Sequence, residues 1–342
     1  MTTTNLQQKL FDIILQKFPK RAQAAESLQT LLGLGRDAIY RRFRGETPLT
    51  PDELQLLARE FDISLDALIF GQADQVFFSY RSFPSTLNKF QDYLEEVHRN
   101  ISTVYQLEGS RIYYTTAELP IYHYCALPEI IAFKLYVWAR TVWNFEDWNG
   151  RKFQFSDIPT ESIQLSQEIV RLYYNIPSTE LWHLNILDNT LNQMEYYVSS
   201  GGFIDPNDAF VLCDKLLTLV NYIDQMAEAG HKFAIGKSPT HSKGAELDLY
   251  YNEMMFTSNT ILADTPMGKT VFATYGSPNF LRCTNPRMGD YTEDWIQRII
   301  RKSISISTHE EKNRIRFFNK LRRKIEQSRQ RITGQIDLLG LG

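Results

Sequence analysis

Between Leu28 and Phe70 the chain reads LQTLLGLGRDAIYRRFRGETPLTPDELQLLAREFDISLDALIF. Leu28, Leu31 and Leu32 recur at helical spacing and stop at Gly33, a residue suited to the left-handed cap that ends a helix. A short helix follows over about 36–44, with Ile39 and Phe43 one turn apart for the core, and it stops at Gly45. Thr50, Pro51 and Glu53 then predict a capping box with proline at the first helical position. Leu54, Leu57, Ala58 and Phe61 give that helix its inner face. Two helices meet across the tight turn at Gly33, and the second carries four arginines in nine residues. That order is a helix-turn-helix whose second helix is equipped to enter a DNA major groove.

The flanks complete a small domain. Leu6, Leu10, Ile13, Ile14 and Phe18 predict a helix over 5–18 ended by Pro19, and Ser64 predicts a short fifth helix through Leu65, Leu68 and Ile69 that Gly71 closes. Residues 1–71 then form the DNA-binding domain and 72–342 a second, larger one. Arg36, Asp37, Tyr40, Arg41, Arg42 and Arg44 are its candidate DNA contacts. Arginines supply phosphate clamps and bidentate guanine contacts, and a tyrosine ring can press on a sugar or a thymine methyl. Lys20 and Arg21 add phosphate contacts at the start of the preceding helix.

This spacing resembles the five-helix DNA-binding domain of Cro/C1-type (XRE-like) helix-turn-helix regulators, and AIYRRFRGETPLTPDEL and FDISLDALI resemble a Bacteroidetes variant of it. The resemblance covers residues 5–71 and implies double-stranded DNA as partner. RIYYTTAELPIYHYCALPEIIAFKLYVW resembles the segment that follows such domains in that group. The commoner pattern places a DNA-contacting Gln where this chain has Ala25, and a capping Ser or Thr where it has Gly35.

Charge is unevenly spread. Residues 1–71 carry nine Lys/Arg against nine Asp/Glu, 72–294 sixteen against twenty-seven, and 295–332 twelve against three. A DNA-binding domain without net charge neutralises few phosphates alone, so a homodimer is expected, held by the second domain with half-sites about one helical turn apart. The basic end (Arg314, Arg316, Lys320, Arg322, Arg323, Lys324, Arg329, Arg331) has three possible partners: DNA flanks, the acidic middle or a second subunit.

The fold class expected is multi-domain and mostly α, with an α+β second domain. Val76, Phe77, Phe78, Tyr80 and Phe83 are too apolar for a free linker. Helices are predicted over 85–105, 128–143, 157–174, 179–199, 206–229, 290–302 and 309–332. RIYYTTA and SISIS read as strands, and 245–284 as an antiparallel β-meander of four short runs.

Motifs for chemistry are sparse. Gly230 and Gly236 are separated by five residues where a phosphate-binding loop needs four, and the residues before them read as helix, not strand. His123-x-Cys125 lacks a second ligand pair, as do His231 and His241, and Cys213 and Cys283 read as buried apolar residues. Three widely spaced cysteines and no apolar run of membrane length point to a cytoplasmic protein without metal, cofactor or membrane contact. A small-molecule or peptide effector site is expected in the second domain, with walls from Tyr113, Tyr122, Tyr124, Trp138, Asn252 and Glu253. Expected overall is a sequence-specific DNA-binding regulator and not an enzyme. The alternatives are a helical peptide- or protein-binding module in the second domain, or an enzyme targeted by the first.

Overall fold

A computed structural model describes residues 6–61, 63–70, 76–80, 89–253 and 259–340. Of the expectations above, the helix start at residue 5, Gly71, Phe83, the helix start at Ser85 and residues 254–258 of the meander lie outside the described residues. The chain divides into two compact units, Met1–Phe78 and Ser79–Gly342, where the sequence reading divides it at 71/72.

The first unit is five helices: α1 (Leu6–Gln16), α2 (Arg21–Leu32), α3 (Arg36–Phe43), α4 (Pro51–Glu60) and α5 (Leu65–Phe70). Leu10, Phe11, Ile14, Ala25, Leu28, Ile39, Phe43, Leu57 and Leu68 form its core. Phe11 meets Phe43 edge to face at 5.0 Å, fixing α1 against α3. Gly33 ends α2 at φ +64°, a left-handed conformation that a side chain would strain, and its N–H caps Gln29 O. Thr50 and Glu53 form the capping box that starts α4.

The second unit is built on a seven-stranded mixed sheet, in the order β6-β5-β4-β1-β2-β3-β7. β1 (Arg111–Thr116), β2 (Ser178–His183) and β3 (Leu247–Asn252) run parallel. β4 (Thr260–Thr265), β5 (Gly268–Thr274) and β6 (Phe280–Cys283) form an antiparallel meander beside β1, and β7 (Ile304–Ser305) edges β3. Two expectations are corrected. Residues 178–183 are a strand, not the start of a helix, and β3 pairs with β2 instead of joining the meander. β2 escapes a pattern search because it is wedged between parallel neighbours and buried along its whole length, so it shows no alternation.

The helices are α6 (Phe90–Gln106), α7 (Ile121–Tyr124), α8 (Pro128–Thr141), α9 (Thr160–Tyr173), α10 (Asp188–Ser199), α11 (Asp208–Ala229), α12 (Pro286–Ile300) and α13 (Glu311–Leu339). The main core gathers α6 to α11 and α13, and Ile130 to Ala139 of α8 are all buried. A smaller core of Leu262, Val271, Cys283 and Ile296 packs with Tyr113 between the sheet and α12. Ser79 adds an antiparallel bridge to Arg282 on β6, and Tyr80 meets Tyr275 edge to face. Val76 and Phe78, expected to be covered, are exposed. No helix among the described residues is long and apolar enough to cross a membrane.

Candidate nucleic-acid interface

α3 is short because Gly35 opens it without a side-chain cap and the turn at Gly45 (φ +72°) closes it. Ile39 and Phe43 are buried, which turns Arg36, Asp37 and Arg41 outward into solvent. Tyr40 is half-buried. Its ring meets Phe43 edge to face at 5.7 Å, and the Arg36 guanidinium lies 5.7 Å from its centroid. Gly35, Arg36, Asp37, Ala38, Arg41, Arg42 and Thr47 line an open hollow of about 630 Å³.

The six candidates on this helix and at its C-cap are not equivalent. Arg42 grips Glu53 with two nitrogens, at 2.8 and 3.2 Å, and also donates to Ala38 O at 3.3 Å. Both members of the pair are mostly shielded, with side-chain exposures of 11% and 15%. Arg42, named among the candidate DNA contacts, thus fastens α3 to α4 through this pair. Burial pushes the Glu53 carboxyl up, but the Thr50 N–H and Arg42 together hold it below its ordinary value. Arg44 pairs with Glu46 in solvent, a link that water and salt weaken.

At the start of α2, Lys20 is an exposed, extended N-cap residue, and the exposed Arg21 places its guanidinium 5.2 Å from the Phe43 centroid. Ala25, at the position of the family's Gln, is buried, and α2 offers no reaching side chain there. Gln7 was not singled out from sequence. Its Nε2 donates to Arg42 O and Thr47 O, and its Oε1 accepts from the Leu49 N–H.

The six residues expected to line an effector site do not converge. Tyr113 packs with the small core on the α12 side, whereas Tyr122, Tyr124 and Trp138 belong to the main core. Tyr122 stacks on Tyr173 at 4.3 Å, the Tyr124 hydroxyl is 2.7 Å from Thr190 Oγ1, and Trp138 lies over Lys134 Nζ. Asn252 donates to Ser303, and Glu253 pairs with Lys320. Their aromatic and polar groups are used in packing and pairing.

Two buried charge clusters went unread in the sequence because their members come from distant segments. Glu180 on β2, fully buried, accepts from His123 at 2.9 Å, from Trp182 Nε1 at 2.8 Å and from the Tyr173 hydroxyl. Burial raises the Glu180 carboxyl, but His123 and the Tyr173 hydroxyl outweigh it and hold it below its ordinary value. Lys232 donates to Tyr173 O at 3.0 Å and Ile176 O at 2.5 Å, and burial pushes its ammonium well below the usual range. Lys134, also fully buried, reaches Glu118 at 2.6 Å and Gln193 at 2.9 Å. The three cysteines are free and buried, and burial raises all three thiols, Cys213 to about 12. Among the described residues no cluster of three His, Cys, Asp or Glu side chains could hold a metal ion.

The basic end turns back on the acidic middle. From α13, Arg314 reaches Asp224 and Glu228, Arg322 reaches Asp224, and Arg329 reaches Asp214, all on α11. Lys324 and Arg331 reach Asp188 and Glu195 on α10.

Comparison with known families agrees with the geometry of the first unit. Residues 23–68, from the start of α2 into α5, match the family model described as helix-turn-helix, and this segment is a DNA-binding helix-turn-helix of the Cro/C1 type. No curated protein and no solved structure matches the chain.

Proposed function

We propose that the protein is a sequence-specific transcriptional regulator that reads double-stranded DNA with α3 in the major groove. The observation that carries this is the division of α3 into a face locked by Ile39 and Phe43 and an opposite face of exposed Arg36, Asp37 and Arg41 beside an open hollow. Such a face supplies base contacts from a helix whose position the core holds, while Lys20 and Arg21 approach the backbone.

The protein works as a homodimer, because one copy brings few free cations to the phosphates. The second unit joins the copies and receives a small-molecule or peptide effector, acting by binding and not by catalysis. The working protein is cytoplasmic, a reading that a DNA partner supports. Selection of bound fragments from the source genome, with and without metabolite extract, tests the reading. Enrichment of specific fragments by the wild type, lost in Arg36→Ala with Arg41→Ala, is the expected result. No enrichment, or full enrichment by the double variant, overturns it. Light scattering at micromolar concentration should give twice the chain mass.

A further inference from the structure

We infer that Gln7, a residue of α1 far from any DNA-facing surface in sequence, is a positioning residue for the reading helix. The side chain is only 8% exposed. Its two amide hydrogens go to Arg42 O at 2.8 Å and Thr47 O at 2.9 Å, and its oxygen accepts the Leu49 N–H at 2.8 Å. One amide thus ties the last turn of α3 and the loop to α4 onto α1, across 35 to 42 residues of chain.

The loop needs such a tie. Arg42 O, one of the last carbonyls of α3, already has the Gly45 N–H, but Thr47 O and the Leu49 N–H lie between helices, beyond either helix's own ladder. The local bonds are Gly45 N–H to Arg42 O and Glu46 N–H to Arg41 O, which end before Thr47. Beyond them the capping box begins only at Thr50. Thr47 walls the same hollow as Arg36 and Arg41. Gln7 therefore sets the distance between the two walls, and with it where a DNA backbone phosphate can sit against α3. It does so without touching DNA and without adding charge. Only this last consequence rests on the DNA reading of α3.

The test uses the full-length chain with Gln7→Met, which keeps the volume, and Gln7→Glu, which keeps the acceptor but aims a carboxylate at two carbonyls. Hydrogen exchange of Gln7→Met should show the Leu49 amide and its neighbours over 44–50 losing protection about tenfold, with α2 and α5 unchanged. Binding should show the preference for selected over unselected DNA falling about tenfold in both variants, at an unchanged salt slope, because no cation is removed. Uniform loss of protection across the unit, or a wild-type rate at Leu49, overturns the positioning role. Undiminished selectivity in a locally loosened variant overturns its link to DNA. Wild-type protein that selects no DNA instead refutes the reading of α3, and the exchange data still decide the clamp.

Discussion

Replacing Arg42 with Met separates an arginine that builds the reading unit from those that face solvent. Breaking a fully buried ion pair by removing one partner costs about 3–5 kcal/mol, because the other charge is left unpaired. The Arg42–Glu53 pair is slightly exposed, and Glu53 keeps the Thr50 N–H as a partner. The expected cost is therefore about 2–3 kcal/mol. In a unit of this size that lowers the melting midpoint by about 10–20 °C. All five tryptophans lie in the second unit, so their fluorescence follows that unit, while hydrogen exchange over residues 6–70 follows the first. Only the exchange signal should move. The pair also carries a pH signature. Glu53 has a depressed carboxyl in the folded state, so its contribution is present above the ordinary carboxylate range and lost as pH falls through the depressed value. Wild type and Arg42→Met should converge in acid. A cost below about 0.5 kcal/mol, typical of surface substitutions, or a difference undiminished in acid, refutes the assignment of Arg42 as a fastener.

Glu180→Leu leaves the His123 and Trp182 donors unpaired and the Tyr173 hydroxyl with Ser178 Oγ as its partner, at about 1–3 kcal/mol for each orphaned donor. Denaturant unfolding followed by tryptophan fluorescence should show the second unit losing more than about 3 kcal/mol, and clearly less in Glu180→Gln. On α13, Arg329→Ala, whose pair with Asp214 is exposed, should cost at most about 1 kcal/mol. Arg314→Ala, 6% exposed against Asp224 and Glu228, should cost about 2–3 kcal/mol in the same assay. If Lys20, Arg21, Arg36 and Arg41 each neutralise one phosphate, the logarithmic salt slope of DNA binding is about −3.6 for one copy and about −7 for two. Arg36→Gln should reduce a two-copy slope by about two, read by titration between 50 and 200 mM salt.

The first unit could be read from sequence because its signals are local. Gly33, the Thr50–Pro51–Glu53 start and the one-turn spacing of Ile39 and Phe43 each act within a few residues, and α3 falls at 36–43 where it was expected near 36–44. What local pattern could not give is how arginines divide between solvent and protein. Arg42 meets Glu53 across a helix boundary. The available hint was that Arg42 lies one turn from Ile39 and next to Phe43, on the flank of the buried face. Gln7 gave no signal, since an amide at the edge of an amphipathic helix looks like an ordinary surface residue. In the second unit, β2 carries Ser178, Thr179, Glu180 and His183 at buried positions, where a parallel strand is expected to be apolar. Its polar groups are tolerated because they are paired: Glu180 takes His123, 57 positions away, together with Tyr173 and Trp182 close by in sequence. The aromatic residues expected as effector-site walls lie close in sequence, but the fold sends Tyr113 to the small core and Tyr122, Tyr124 and Trp138 to the main one.

The basic end shows how far a charge pattern can mislead about partners. α13 has a narrow apolar seam of Phe318, Leu321, Ile325, Ile332 and Ile336, and such a seam leaves a long helix free to slide by a turn. The cations flanking it remove that freedom. Arg314, Arg322 and Arg329 meet Glu228, Asp224 and Asp214 in descending order, so α13 lies antiparallel to α11. Lys324 and Arg331 meet Asp188 and Glu195 in ascending order, parallel to α10. A one-turn slip would break both sets at once and leave the acids of α10 and α11 unpaired. Most of these pairs are exposed enough to add little stability singly; their effect is to penalise the wrong register. The excess of base after residue 295 and of acid before it is thus largely a matter of how one chain closes on itself. These particular cations are engaged within their own unit.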